Sequence, residues 1–123
     1  MLPYAQTAYK AQTPSIRTAR TNEYDVIARV TQRLSAAVTK RDVDFSNFID
    51  ALYRNELLWS TLASDISLPE NGLPKDLRAK LFYLYRFTAE HSAKVRDSGA
   101  DPAVLIEINK AVLRGLRGGS GEA

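Results

Sequence analysis

Residues 67–78 read "SLPENGLPKDLR", two prolines five positions apart around a glycine, between two long stretches with helical apolar spacing. Pro69 has no amide to donate and biases Leu68 away from helical geometry, so the preceding helix should stop by about Ser67. Gly72 permits a positive φ that a side chain would resist. Pro74 suits the first turn of a new helix, where its missing donor is no loss. The stretch therefore predicts a rigid turn between antiparallel helices, with Leu68 and Leu73 packing at its ends.

Upstream of the turn, Phe45, Phe48, Ile49, Leu52, Trp59, Leu62, Ala63 and Ile66 form one helical stripe, which Asp42 or Asp44 can cap at its start. Before that, Ile16, Arg20, Glu23, Ile27, Val30, Leu34 and Val38 recur at three and four from Ser15 onward. Downstream, a third helix from about Pro74 to Arg96 carries Leu77, Leu81, Leu84, Tyr85, Thr88 and Val95, and Ser98, Gly99 and Ala100 break it. Asp101 followed by Pro102 opens a fourth, with Leu105, Ile108, Val112 and Leu116 on its stripe. The fold class is thus all-α. Each stripe needs a partner and short connections favour antiparallel neighbours, so the expectation is a small four-helix bundle. Residues 1–14 read as an extended arm with Tyr4 and Tyr9, residues 15–117 as the helical domain, and residues 118–123 as a flexible polar tail.

The chain has 123 residues, 45% apolar and 25% charged, which suits one domain with one modest core. It has no Cys, so disulfides and thiolate metal sites are excluded. The net charge of +3 could suit nucleic acid, but 17 basic residues are interleaved with 14 acidic ones. Phosphate binding needs basic residues gathered on one face, so nucleic acid is not the expected partner. No apolar run approaches the roughly 20 residues of a membrane span. The first residues lack the charged and apolar regions of a signal peptide, and a cytoplasmic location is expected.

Catalytic material is scarce. The single His, His91, lies at the edge of the third stripe, where one structural hydrogen bond is the expected role. The acidic residues are dispersed and no Glu-x-x-His pair occurs, so no metal, no cofactor and no enzyme activity are expected. Polar groups do fall on the apolar stripes: Arg20 and Glu23 on the first helix and Glu56 on the second. A buried carboxylate needs a partner, so these three are expected to form one ionic cluster inside the bundle. Helix three carries a second apolar strip of Phe82, Ala89 and Ala93, about 120° from the first. It should either sit centrally in the bundle, the reading its breadth favours, or offer surface to another helix.

With these elements in place, the segment "LLWSTLASDISLPENGLPKDLRAKL", residues 57–81, resembles the FlaF family of flagellar biosynthesis proteins. The matching positions are Leu58, Trp59, Asp65, Pro69, Glu70, Asn71, Leu73, Pro74, Leu77 and Arg78. "LIEINKAVLRGLR", residues 105–117, is similar to the family's last helix, and Arg20 and Glu23 match an Arg-x-x-Glu. "FYLYRF", residues 82–87, departs from the family's usual Ile-Ser-Ile-Gly-x-Trp run. The resemblance implies a helical cytoplasmic protein that binds flagellin, promotes its export, and is linked to control of flagellin synthesis alongside FlbT. Flagellin's amphipathic ends would suit helix-in-groove packing, with Phe82 and Tyr83 as contacts covered in the free protein by Tyr4 and Tyr9. Glu70, Asn71, Lys75 and Arg78 could add polar contacts from the turn. The alternative is a direct RNA-associated regulator of flagellin mRNA translation; a purely structural homo-oligomer is a third reading.

Overall fold

A computed structural model of the chain describes the backbone of residues 16–122 and the side chains of residues 22–117. The described residues form four helices: α1 (Ile16–Thr39), α2 (Phe45–Ile66), α3 (Lys75–Ser98) and α4 (Ala103–Glu122). No strand occurs among the described residues. The arm residues Tyr4 and Tyr9 lie outside them, as does the side chain of Arg20.

Each helix packs on its neighbours in the ring, α1 against α2 and α4, and α2 against α3, while α3 meets α4 over a much shorter stretch. The bundle is therefore built on α1, α2 and α4, and α3 lies along α2. Leu34, Leu52 and Leu105, one from each of those three helices, are fully buried at its centre. Burying an aliphatic side chain of this size stabilises by roughly 1.5–3 kcal/mol, so these positions fix the mutual orientation of the helices. Arg33 sets the α1–α2 register from the surface, its Nη2 donating to Asp50 Oδ2 at 2.6 Å and to Asn47 Oδ1 at 3.3 Å.

A central position for α3 is not what the structure shows. Only Thr88, Ser92 and Val95 of that helix are buried, and all three lie in its second half. Phe82 and Tyr83 remain 42% and 69% exposed. The width of the apolar face reflects surface that the chain leaves partly open.

The helix ends follow local chemistry. Asp44 caps α2, its carboxylate accepting from the Asn47 amide at 3.1 Å. The Asp101 carboxylate accepts from the Ala103 amide at 2.9 Å, and Pro102 behind it is fully buried. Gly99 closes α3 in the left-handed region at φ 72, with the Ala100 amide donating to the Lys94 carbonyl at 3.2 Å. Gly72, by contrast, does not adopt the positive φ expected of it; among the described residues Gly99 is the glycine that does.

The 67–78 turn is held by Asn71 instead. Its amide donates to the Leu68 carbonyl at 3.0 Å, its Oδ1 accepts from the Leu73 amide at 3.0 Å, and its Nδ2 donates to the Asp65 carbonyl at 3.3 Å. One side chain thereby ties the end of α2 to the start of α3, in the manner of an Asx turn. Pro74 stands at the N-cap, one position before its expected place, and its carbonyl accepts from the Arg78 amide at 3.0 Å. At the other end of the chain α4 runs on to Glu122, past the point where "RGGSGEA" was expected to stop it.

Candidate partner-binding cleft

The inner face of the bundle carries amides where the stripes predicted only apolar side chains. Asn55 and Asn109 are fully buried, and Thr31 is 5% exposed. The Trp59 indole N–H donates to Asn109 Oδ1 at 2.9 Å, and Asn109 Nδ2 donates to Thr31 Oγ1 at 3.1 Å and to Asn55 Oδ1 at 2.7 Å. Thr31 passes its own proton to the Ile27 carbonyl at 2.6 Å. One amide on α4 thus uses both its donors and its acceptor to join α1 and α2, which makes the network a register device as well as a core element.

The expected cluster of Arg20, Glu23 and Glu56 is not closed through Glu56, and the Arg20 side chain lies outside the described residues. Glu56 pairs with Arg96 of α3, and Glu23 is exposed, lining a groove between α1 and α2. The reason is register: with Arg33 beside Asn47 and Asp50, Glu23 falls level with the last turns of α2, whereas Glu56 sits mid-helix on the side that meets α3. The stripe was broad enough to hold two faces, and the charges divide between them.

That second face of α2 opens a cleft of about 330 Å³ against α3. Tyr53, Leu57 and Trp59 line one wall, and Tyr85, Thr88 and Ala89 the other. The Glu56–Arg96 ion pair closes one end and leaves the walls without net charge. Its rim is apolar and open, with Tyr53 53% and Leu57 41% exposed. At the floor, the Thr88 hydroxyl is buried and has no protein partner, and the same holds for Asn55 Nδ2 and Ser92 Oγ nearby in sequence register.

Of the sequence-nominated contacts, neither Phe82 nor Tyr83 lines this cleft, but Phe82 touches a residue that does. The Phe82 ring packs on that of Tyr85 with centroids 5.6 Å apart, which sets it beside the cleft. Tyr83 stands two residues from Tyr85, about 200° around the helix, and faces outward. His91 has the structural role expected of it: Nε2 lies 2.7 Å from the Asp101 carbonyl and the ring stacks on Phe87.

The conspicuous motif positions have mostly structural duties. Trp59 serves the amide network and Asn71 the turn. Leu58 and Asp65 line the α1–α2 groove, Leu73 and Arg78 are half-buried, and Pro69, Glu70, Pro74 and Leu77 are exposed. Among the described residues there is no group of three or more His, Cys, Asp or Glu that could hold a metal, and no helix long and apolar enough to cross a membrane.

Fold and cleft together define a small all-α protein built as four helices around a polar-keyed core, with an open apolar seam between α2 and α3. A family model described as flagellar protein FlaF matches residues 5–116. The chain therefore belongs to the FlaF family of flagellar proteins. Comparison with curated proteins and with solved structures gave no match.

Proposed function

We propose that this FlaF-family protein is a non-catalytic flagellin-binding export chaperone or adaptor, acting in the cytoplasm and linked to control of flagellin synthesis alongside FlbT. The α2–α3 cleft is the surface that takes flagellin. The observation that carries this reading is the seam itself: Leu57 and Tyr53 stand partly exposed at a largely apolar cleft without net charge, and Phe82 is exposed beside its Tyr85 wall. An amphipathic helix from an unpolymerised flagellin end can lay its apolar stripe there, because that stripe has no other place to bury before assembly. The buried Thr88 hydroxyl on the floor supports a partner that brings one polar group along with its apolar ones.

A pull-down with purified full-length and end-truncated flagellins tests the reading. Capture of full-length flagellin, lost on removing one end and little affected by salt, is the expected result, since apolar packing is not screened. Capture that falls steeply with salt and is replaced by flagellin mRNA would instead favour direct RNA binding, and failure to capture either would overturn the proposal.

A further inference from the structure

The amide network that keys the bundle leaves α3 out. Thr31 of α1, Asn55 and Trp59 of α2 and Asn109 of α4 hydrogen-bond to one another, and no member comes from α3. We propose that α3 is a movable wall, docked on α2 and α4 in the structure and opening from them as a unit in solution, so that it sets the width of the α2–α3 cleft.

What α3 buries is the first reason. Of its 24 residues only Thr88, Ser92 and Val95 are buried, whereas α2 buries Phe48, Leu52, Trp59 and Ile66 among others. Val95 is thus the one buried apolar residue of α3, with Leu81, Leu84, Tyr85 and Phe87 half-buried. Packing of an apolar face is what holds a helix in a fold, and α3 supplies little of it.

The second reason is where the unpaired polar groups lie. Among the described residues, the buried side-chain nitrogens and oxygens without a hydrogen-bond partner are Asn55 Nδ2, Arg78 Nε, Thr88 Oγ1 and Ser92 Oγ. All but Asn55 belong to α3. Leu52 shares a core cluster with Val95, and Trp59 lines the cleft with Thr88, so the antiparallel step between those pairs brings Asn55 level with Ser92. A buried polar group without a partner carries its full desolvation cost, which opening to water recovers. Docking of α3 therefore sets a small apolar gain against orphaned groups gathered on that same helix and seam.

The remaining contacts are slight. α3 meets α4 over a short stretch only, and the Glu56–Arg96 pair that joins it to α2 is partly exposed, where ion pairs contribute little. Short connections, from Ile66 to Lys75 and from Ser98 to Ala103, keep α3 beside the core when it opens. Because α2 and α3 form the two walls of the cleft, docked and open states give it two widths, and a helix lying there biases one of them. The opening is a property of the free protein; only its bearing on a partner rests on the role proposed for the cleft.

Native-state hydrogen exchange of the free full-length protein, followed by nuclear magnetic resonance in low denaturant, tests it. The amides of Thr88, Ser92 and Val95 should exchange through one shared opening, about tenfold or more faster than those of Leu34, Leu52 and Leu105, which open only with the whole molecule. Thr88→Val replaces the orphaned hydroxyl with a methyl of similar size and nearly equal helix propensity, and should slow the opening by about tenfold at the Val95 amide. Ser92→Ala should act in the same direction. Exchange of the α3 amides as slow as that of Leu34, Leu52 and Leu105 would overturn the proposal. So would a Val95 amide whose protection falls or stays unchanged in Thr88→Val, because the orphaned hydroxyl would then not be what loosens the helix.

Discussion

The indole N–H of Trp59 donates to the buried side-chain carbonyl of Asn109 across 2.9 Å, joining positions 50 residues apart on α2 and α4. Asn109 in turn satisfies Thr31 and Asn55, so a single amide decides how three helices meet. An apolar replacement leaves at least two of these groups without a partner inside the bundle. Asn109→Leu should therefore cost about 2–4 kcal/mol in folding free energy, at roughly 1–3 kcal/mol for each orphaned group. The denaturant midpoint measures it. In a Trp59→Phe background the same change should cost less, because the donor that would be orphaned is already gone.

The two glycines flanking α3 should separate cleanly. Gly99 has φ 72, so Gly99→Ala places a Cβ in the left-handed region and should destabilise by about 1–2 kcal/mol. Gly72 lacks a positive φ and has nothing within 4 Å of an added Cβ, so Gly72→Ala should be neutral or stabilising by up to about 1 kcal/mol. Thermal melts of the pair check this, and equal losses would contradict the assignment of αL geometry to Gly99.

For the turn itself, Asn71→Ala removes two side-chain hydrogen bonds that link the end of α2 to the start of α3. The expected loss is about 1–2 kcal/mol, at roughly 1 kcal/mol per bond. Glu70→Ala, at an exposed position in the same turn, should change stability by less than about 0.5 kcal/mol.

The Glu56–Arg96 pair is only partly covered, with side chains 25% and 38% exposed. Arg96→Met should then cost about 1 kcal/mol or less, well short of the roughly 3–5 kcal/mol that follows loss of a partner to a deeply buried charge. Raising the salt concentration should shrink the difference from wild type. A salt-independent loss of several kcal/mol would place the pair in the core.

The helices themselves were legible because caps and period agree: Asp44, Asp101 and the Ile27, Leu34, Leu52, Leu105 spacing all read correctly from local rules. What failed depended on which face of a broad stripe meets which neighbour. Glu56 and Glu23 share a periodicity with the core yet belong to different seams, and periodicity alone carries no register. Asn55 and Asn109 did leave a signal, since each stands three or four residues from a buried leucine, Leu52 or Leu105, in a helix needing a polar key for Trp59. An amide in a stripe reads as an interruption until its partner on another helix is seen. Gly72 was misread because a glycine beside prolines suggests αL geometry, whereas Asn71 had already supplied the turn's hydrogen bonds.

The proposed role of the α2–α3 cleft is tested most directly by calorimetric titration of purified flagellin into the wild-type protein and into Leu57→Ala and Phe82→Ala variants, with melting temperatures recorded in parallel. Both side chains are partly exposed, so folding should change by little, whereas loss of an apolar contact that flagellin covers should weaken binding by about tenfold for each variant. Tyr83→Ala, away from the cleft, should bind as wild type. Wild-type affinity in both cleft variants, or a loss that merely follows the fraction unfolded, would contradict the assignment of flagellin to this cleft.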